Sequence, residues 1–109
     1  MRRFARLRRS SEIAFVRRRG RKAAFPTLAV FTLEGSEGPS RIAITVGKPV
    51  GCAVERNLVR RRIRGALEEM GAALPAGRRF LFVAKPGAVA QAYAELAADV
   101  RRAVGQGAR

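Results

Sequence analysis

The chain has 109 residues, with 23 Lys and Arg against eight Asp and Glu, and carries a formal net charge of +15 at pH 7. A chain of this length predicts one domain, because two separate cores would be too small to fold alone. Its hydrophobic fraction of 48% is ordinary for a globular protein and too high for a disordered basic tail. A positive surface around a modest core favours a negatively charged partner, and nucleic acid is the commonest.

Residue content excludes several classes of protein. The sequence has no His, so no imidazole can act as a general base or metal ligand. Its single Cys52 cannot form an internal disulfide or a multi-thiolate zinc site, which fits a reducing compartment. No apolar run approaches the ~20 residues of a membrane helix. No apolar segment follows the basic start, as a signal peptide requires, although an arginine-rich transit peptide stays an alternative. We expect a cytoplasmic protein with no membrane partner.

The start of the chain predicts a basic arm followed by a helix. Residues 1–9 are expected to form a flexible arm. Ser10 and Glu12 are typical of a helix start, where a hydroxyl caps free N–H groups and an acid suits the helix dipole. This first helix would turn Ile13 and Val16 inward and end near Gly20. Five cations crowd its end, either as a solvated face or as a surface for a polyanion: Arg17, Arg18, Arg19, Arg21 and Lys22.

Two strands are expected next. Residues 25–33 alternate between two largely apolar faces, one with Leu28 and Val30 and the other with Ala29 and Phe31, so both faces should be covered. Residues 34–40 are rich in turn-forming types and predict an exposed hairpin loop. Residues 41–46 would then form the return strand of that hairpin.

The second half of the chain predicts a long helix, a strand and a last helix, over about residues 53–70, 79–85 and 88–104. The long helix has an apolar stripe at helical spacing, made of Val59, Ile63, Ala66, Leu67 and Met70. The last helix would pack through Val89, Tyr93, Leu96 and Val100. The predicted order is α-β-β-α-β-α. This order indicates an α+β fold in which a small sheet is sandwiched by helices, with residues 1–109 forming one RNA-binding domain.

The long helix also carries the most specific pattern in the sequence. Three arginines and one asparagine share one arc, opposite or flanking the apolar stripe: Asn57, Arg60, Arg61 and Arg64. Arg56 lies at the margin of that arc. A purely structural helix would place acids among these arginines to relieve their repulsion, but its acids stand only near its ends. An uninvolved, solvated face is the alternative, and the unpaired cluster favours a polyanion.

This segment resembles the Arg-Asn-x-x-Lys/Arg-Arg-x-x-Arg signature of the bacterial ribonuclease P protein component. The flanks are similar too, with residues 44–48 and a Gly-x-Ala-Val run at 51–54 before the signature, and the apolar strand at 80–84 after it. Arg6-Leu7 and the helix closing on Gly20-Arg21 also look like this family. The resemblance covers nearly the whole chain.

The resemblance implies a fold and a set of partners. Family members connect two parallel strands by a left-handed crossover, against a ~98% preference for right-handed ones. They join a large catalytic RNA that removes the 5′ leader from precursor tRNA. The implied RNA-binding residues are Lys48, Arg56, Asn57, Arg60, Arg61 and Arg64. A cleft between the first helix and the sheet is implied to receive the leader, with Ile13, Arg17 and Phe31 as its candidate lining.

The sequence departs from the family pattern at a few positions. Pro49 replaces a second lysine after Lys48, Cys52 replaces a common Asn cap, and Gly65 replaces an acid in the long helix. Ile13 and Arg17 stand where the family often has aromatic residues, which leaves apolar and cationic contact at this helix.

No constellation of acids suggests a protein active site for phosphodiester hydrolysis, so we expect no catalytic residue in this chain. The catalytic RNA would mainly hold the Mg²⁺, and whether a metal also touches the protein is open. One alternative is a ribosomal or other structural RNA-binding protein. Another is a DNA-binding module with the long helix in a major groove. No helix-turn-helix precedes that helix, so we expect no DNA partner.

Overall fold

The computed structural model describes residues 4–35, 38–71 and 74–107. Within them the α-helices are α1 Ser10–Arg19, α2 Ala53–Met70 and α3 Tyr93–Gly107. The strands are β1 Phe4–Arg6, β2 Arg21–Ala24, β3 Leu28–Glu34, β4 Ser40–Thr45 and β5 Arg78–Ala84. Short 3-10 turns lie at Lys48–Val50 and Pro86–Ala90. The strands form one sheet in the order β1-β4-β5-β3-β2. The predicted α+β sandwich is confirmed, whereas the predicted element order lacks two strands.

The two missing strands are the edges of the sheet. β1 has three residues, of which one is charged, and β2 has four, of which two are charged, so neither shows the apolar alternation that predicts a strand. β1 pairs in parallel with β4, and the Leu7 N–H extends the pairing by donating to the Ile42 carbonyl at 2.9 Å. Leu7 itself is buried. The prediction of a flexible arm is therefore wrong for residues 4–7, while residues 1–3 lie outside the described chain.

The predicted hairpin between β3 and β4 is also wrong. β5 lies between these two strands, antiparallel to β3 and parallel to β4. β5 is apolar on both faces and gains most from a central position, where both faces are covered. The observed hairpin joins β2 to β3, and its turn is closed by the Phe25 N–H donating to the Leu28 carbonyl at 2.8 Å. Of the predicted hairpin loop, residues 36–37 lie outside the described chain.

β4, α2 and β5 form a crossover unit, because the two strands are parallel neighbours joined through the helix. This is the unit that the family resemblance implies. Its left hand stays a prediction.

Helices cover both faces of the sheet. α2 and α3 pack on one face, over a core that includes Leu28, Val30, Phe80 and Phe82. α1 packs on the other face, where Val16 joins Leu7, Ala43 and Leu81. The predicted stripe of α2 is confirmed: Val59, Ile63, Ala66 and Leu67 are buried, and Met70 packs against them.

The predicted end of α1 near Gly20 is confirmed, whereas the predicted hydroxyl cap of α1 and the predicted start of the last helix are wrong. α1 begins at Ser10 after Arg9, and no side chain caps it. Gly20 follows α1 with an ordinary φ of −72°. Glycine is needed here for lack of space, because a Cβ at this position would lie 2.5 Å from the Val16 carbonyl oxygen and 3.1 Å from that of Thr32. α3 begins at Tyr93 instead of residue 88, because the Pro86–Ala90 turn comes first.

Asp99 anchors α3 to the β2–β3 hairpin. Its Oδ2 accepts hydrogen bonds from the Thr27 backbone N–H at 3.0 Å and from the Thr27 hydroxyl at 2.6 Å. Its Oδ1 accepts from Arg102. Burial raises the pKa of Asp99, but these hydrogen bonds outweigh burial and hold the pKa of the carboxyl below its ordinary value. Within the described residues, no helix is both long and apolar enough to cross a membrane.

Candidate nucleic-acid interface

The outer face of α2 forms an open groove of about 470 Å³. The apolar stripe turns toward the sheet and α3, so the opposite arc points to solvent. The groove is lined by Arg6, Val54, Asn57, Arg60, Arg61 and Arg64. Four of the residues predicted on this helix are thus brought together in one concave surface.

Two predicted residues lie elsewhere. Arg56 is half-buried and does not line the groove, and its Nε is buried with no hydrogen-bond partner among the residues described. Lys48 is exposed on the 3-10 turn between β4 and α2, also outside the groove lining. Arg62 also lies outside the groove lining. Its guanidinium donates a hydrogen bond to the Gln91 carbonyl at 3.3 Å, which links α2 to the segment before α3.

Three of the arginines that line the groove come from α2. In the described parts of the chain, no carboxylate lies within 4.0 Å of the guanidinium of Arg60, Arg61 or Arg64. Glu55, in the first turn of the same helix, accepts a hydrogen bond from the Cys52 backbone N–H at 2.9 Å. That bond caps the start of α2 and lowers the pKa of the Glu55 carboxyl. The positive charge of the groove is therefore available to a ligand.

Asn57 orients one of these arginines. The Arg60 guanidinium donates to the Asn57 Oδ1 at 3.0 Å, one helical turn along α2. The bond narrows the range of directions that the Arg60 side chain samples, and a planar guanidinium that is already oriented loses less entropy on binding phosphate.

Sequence reasoning missed Arg6 as a site residue. Arg6 ends β1 and lines both the α2 groove and a smaller cavity of about 150 Å³, where β1 leaves the edge of β4. The smaller cavity also includes Ile13, Thr45, Arg60 and Arg64. It therefore joins the α2 groove to the start of α1. Only the unpredicted strand β1 brings Arg6 to this position, and the sequence marked Arg6 only as part of the family resemblance.

The three residues predicted for the α1 cleft also come together. Ile13 and Phe31 pack against the same small apolar cluster beneath α1. The Arg17 guanidinium carbon lies 5.8 Å from the centre of the Phe31 ring. The Lys22 Nζ lies 5.8 Å from the same ring centre. Two cations and an aromatic ring in one cleft suit a single-stranded nucleic acid, whose bases stack and whose phosphates need positive charge.

Three other acids make structural contacts. Glu12 pairs with Arg41 at 3.9 Å, Glu34 pairs with Arg78 at 3.6 Å, and Glu69 accepts from the Tyr93 hydroxyl at 2.5 Å. Over residues 4–35, 38–71 and 74–107, no group of three or more His, Cys, Asp or Glu is arranged to hold a metal ion.

A small α+β domain with an arginine groove and a separate aromatic–cation cleft defines a protein that binds nucleic acid, with features suited to single-stranded RNA. Comparison with known proteins makes this class specific. The family model described as Ribonuclease P matches residues 1–107. The ribonuclease P protein component of Acidothermus cellulolyticus is 40% identical, with 93% of this chain and 86% of that protein covered. That of Streptomyces avermitilis is 39% identical, with 95% of each chain covered.

Solved structures agree on the fold. A mutant RNase P protein from Staphylococcus aureus superposes with a TM-score of 0.86 at 19% identity, covering 94% of this chain and 87% of that one. The RNase P protein from Thermotoga maritima gives 0.84 at 16% identity, covering 93% and 96%. The chain belongs to the ribonuclease P protein family, whose members are subunits of the ribonucleoprotein endoribonuclease that processes the 5′ end of tRNA. The identification made from the sequence is confirmed, and a ribosomal role is not favoured.

Proposed function

We propose that the α2 groove binds the catalytic RNA of ribonuclease P through its phosphates. One observation carries this proposal: three arginines line a single groove without a carboxylate to neutralise them in the described chain. A guanidinium offers phosphate two parallel donors, and each phosphate contact releases condensed counterions. Arg6 adds a fourth cation from β1. Arg56 and Lys48, outside the groove, would contact RNA at its margins.

We propose further that the cleft between α1 and the sheet receives the 5′ leader of precursor tRNA. Phe31 supplies a ring, and Arg17 and Lys22 supply cations beside it. The smaller cavity at Ile13 adjoins the α2 groove, since Arg60 and Arg64 line both. This arrangement supports two neighbouring RNA sites. The catalytic RNA would lie on α2, and the leader would lie in the cleft between α1 and the sheet.

We assign the chemistry to the RNA, with Mg²⁺ bound mainly there. The acids of the described residues do not fit a resident metal site, since Glu12, Glu55 and Asp99 are committed to an ion pair, a helix cap and a buried anchor. The protein's part is to neutralise phosphate and to hold the substrate strand. We place this function in the cytoplasm, where a free, exposed Cys52 is compatible with the reducing conditions.

Cleavage of precursor tRNA by a bacterial ribonuclease P RNA, with and without this protein at low Mg²⁺, tests the proposal. We expect the protein to raise the cleavage rate markedly at low Mg²⁺, where phosphate repulsion is least screened. The protein alone should not cleave. If RNA cleavage is unaffected at every Mg²⁺ concentration while the protein is folded, the proposed function is wrong.

The leader assignment has its own test in Arg17→Ala. The holoenzyme should bind precursor tRNA more tightly than mature tRNA, because only the precursor has a leader. Loss of the Arg17 charge beside Phe31 should narrow that difference by roughly threefold to tenfold, as a charge-assisted contact is lost. Affinity for the catalytic RNA alone should not change. Equal tightening of both substrates by the wild-type protein would contradict a leader site in this cleft.

A further inference from the structure

α1 has two flanks, and the proposed leader cleft uses only one of them. Val16 is fully buried at the centre of the contact with the sheet. At about 100° per residue, Ile13 and Arg17 fall on one side of Val16, while Phe15 and Arg18 fall on the other. The contacts agree with this division. Arg17 lies over Phe31, whereas Phe15 reaches a different row of the sheet.

The second flank carries an aromatic ring between two arginines. Phe15 remains 38% exposed, although a ring of this size is normally buried. The Arg18 guanidinium carbon lies 5.9 Å from the ring centre, and that of Arg79 lies 5.7 Å from it. Arg79 comes from β5, so the cluster is fixed to the sheet as well as to the helix.

Charge at this cluster is unbalanced. Arg41 on β4 pairs in register with Arg79 on β5, which places a third arginine beside the cluster. The Glu12 carboxylate forms an ion pair with Arg41 at 3.9 Å. Arg79 is half-buried, and its Nε has no hydrogen-bond partner within the described chain. A buried donor without a partner is costly to stability, so a cluster of this kind is better explained by a ligand than by folding.

We propose that Phe15, Arg18 and Arg79 form a second binding site for an unpaired RNA nucleotide, on the flank of α1 opposite the leader cleft. The base would stack on the Phe15 ring or on a guanidinium plane beside it, and the phosphate would pair with the arginines. A duplex hides the faces of its bases, so the site selects single-stranded RNA. The strongly positive surroundings favour RNA over a protein partner. This proposal rests on the proposed RNA partner and assigns it a new surface.

An unpaired nucleotide has two possible sources, a loop of the catalytic RNA and the single strand of the precursor. Two sets of titrations distinguish them. The first measures the affinity of the protein for catalytic RNA alone. The second measures the affinity of the assembled holoenzyme for precursor tRNA and for mature tRNA. An effect in the first set assigns the site to the catalytic RNA, and an effect on precursor alone assigns it to the substrate strand.

The decisive variants are Phe15→Ala and Phe15→Trp. Stacking of one base on an aromatic ring predicts that Phe15→Ala weakens one of these affinities by roughly 5-fold to 100-fold. Phe15→Trp should retain wild-type affinity, because indole offers a larger stacking surface. The dependence of affinity on salt should not change in either variant, since no charge is removed. Because Phe15 is exposed, thermal melting should show both variants folded.

A matched pair of charge variants tests the arginine part of the site. Arg18→Ala removes a guanidinium that contacts the ring, while Arg19→Ala removes the same charge from the neighbouring exposed position of α1. Arg18→Ala should weaken binding at least threefold more than Arg19→Ala. Wild-type affinity of Phe15→Ala in both titrations would overturn the second site. If wild-type protein also failed to stimulate the RNA, the proposed function itself would be at fault.

Discussion

The two faces of the sheet are covered to different extents. On one face, α2 and α3 together cover a large continuous core that includes Leu28 and Phe82 of the sheet. On the other, α1 alone covers a much smaller cluster around Val16. A helix of ten residues is about 15 Å long and presents a single stripe, whereas five strands span about 19 Å between their outermost members. One short helix therefore leaves sheet surface accessible along both its flanks.

This difference separates stability from binding. On the face covered by α2 and α3, here called the closed face, close packing constrains the side chains, and those in the core are almost entirely aliphatic or aromatic. Along the flanks of α1 and on the outer arc of α2, packing constrains little, and there the chain places arginines and exposed or half-buried rings. Substitutions on the closed face should therefore change stability without changing RNA affinity. Those on the open surfaces should do the reverse.

The largest effect is expected on the outer arc of α2. Replacing Arg60 and Arg64 together by Ala should weaken binding to the catalytic RNA on the order of 100-fold, because two charge-assisted contacts to phosphate are lost. The slope of log K against log salt should flatten by roughly 1.4 to 1.8. The free energy of unfolding should barely change, since both side chains lie off the core stripe.

Arg101→Ala is the control for that variant, as it removes one exposed positive charge from α3. If it weakens binding as much as either Arg60→Ala or Arg64→Ala, then net charge alone attracts the RNA and the groove has no special role.

On the closed face, Asp99→Asn should lower the free energy of unfolding by about 1–3 kcal/mol, because the Thr27 donors lose a charged acceptor. The pKa of Asp99 is depressed in the folded protein. Its contribution is therefore present above its ordinary value of 3.8 and is lost as pH falls through the folded pKa. Urea unfolding at several pH values should show the deficit of the variant shrinking in acid.

Glu95→Gln supplies the comparison for Asp99→Asn, since it neutralises an exposed acid on the same helix. It should leave stability nearly unchanged. RNA affinity should stay at the wild-type level in Asp99→Asn, and a loss there would show that the two faces are coupled.

Asn57→Ala should have a smaller effect on RNA binding. The bond from Arg60 to Asn57 is exposed, so its loss should cost about 0.5–1 kcal/mol of binding free energy, or roughly twofold to fivefold in affinity. Because no charge is removed, the salt slope should keep its wild-type value. A flatter slope would mean that Arg60 no longer reaches a phosphate without Asn57.

The smallest effect is a gain in stability from Gly65→Ala. Glycine in the middle of α2 weakens the helix, and a Cβ at this position would meet the Tyr93 hydroxyl at 3.7 Å, an ordinary contact. Thermal or urea unfolding should show a gain of about 0.5–1 kcal/mol. Gly20→Ala should do the opposite, because its Cβ would press on backbone oxygens.

The periodicity of apolar residues was sufficient to predict which side chains of α2 and β3 are buried. The bounds of α2 and its buried stripe agree with the prediction, because an 18-residue amphipathic helix repeats its signal several times. The division of β3 between two faces was also correct, with Val30 in one core and Phe31 against the other. The arc of arginines on α2 followed from the same periodicity, since residues opposite a buried stripe must face solvent.

The local sequence pattern could not predict which strands pair with each other. β1 and β2 are short and polar, and each becomes a strand only because an existing sheet offers it an edge to bond to. The sequence favoured pairing of β3 with β4 through a short loop, but the tertiary structure inserts β5, whose two apolar faces require the centre of the sheet. Arg6 enters the α2 groove, and Arg79 meets Phe15, through these non-local pairings.

The sequence by itself thus determined the helices, the face that each buries and the family to which the chain belongs, because these depend on residues close together along the chain. The tertiary structure decided which strands are neighbours and which distant cations share a surface. Hydrogen bonds between strands are indifferent to sequence separation, and the order that wins is the one that buries the most apolar surface.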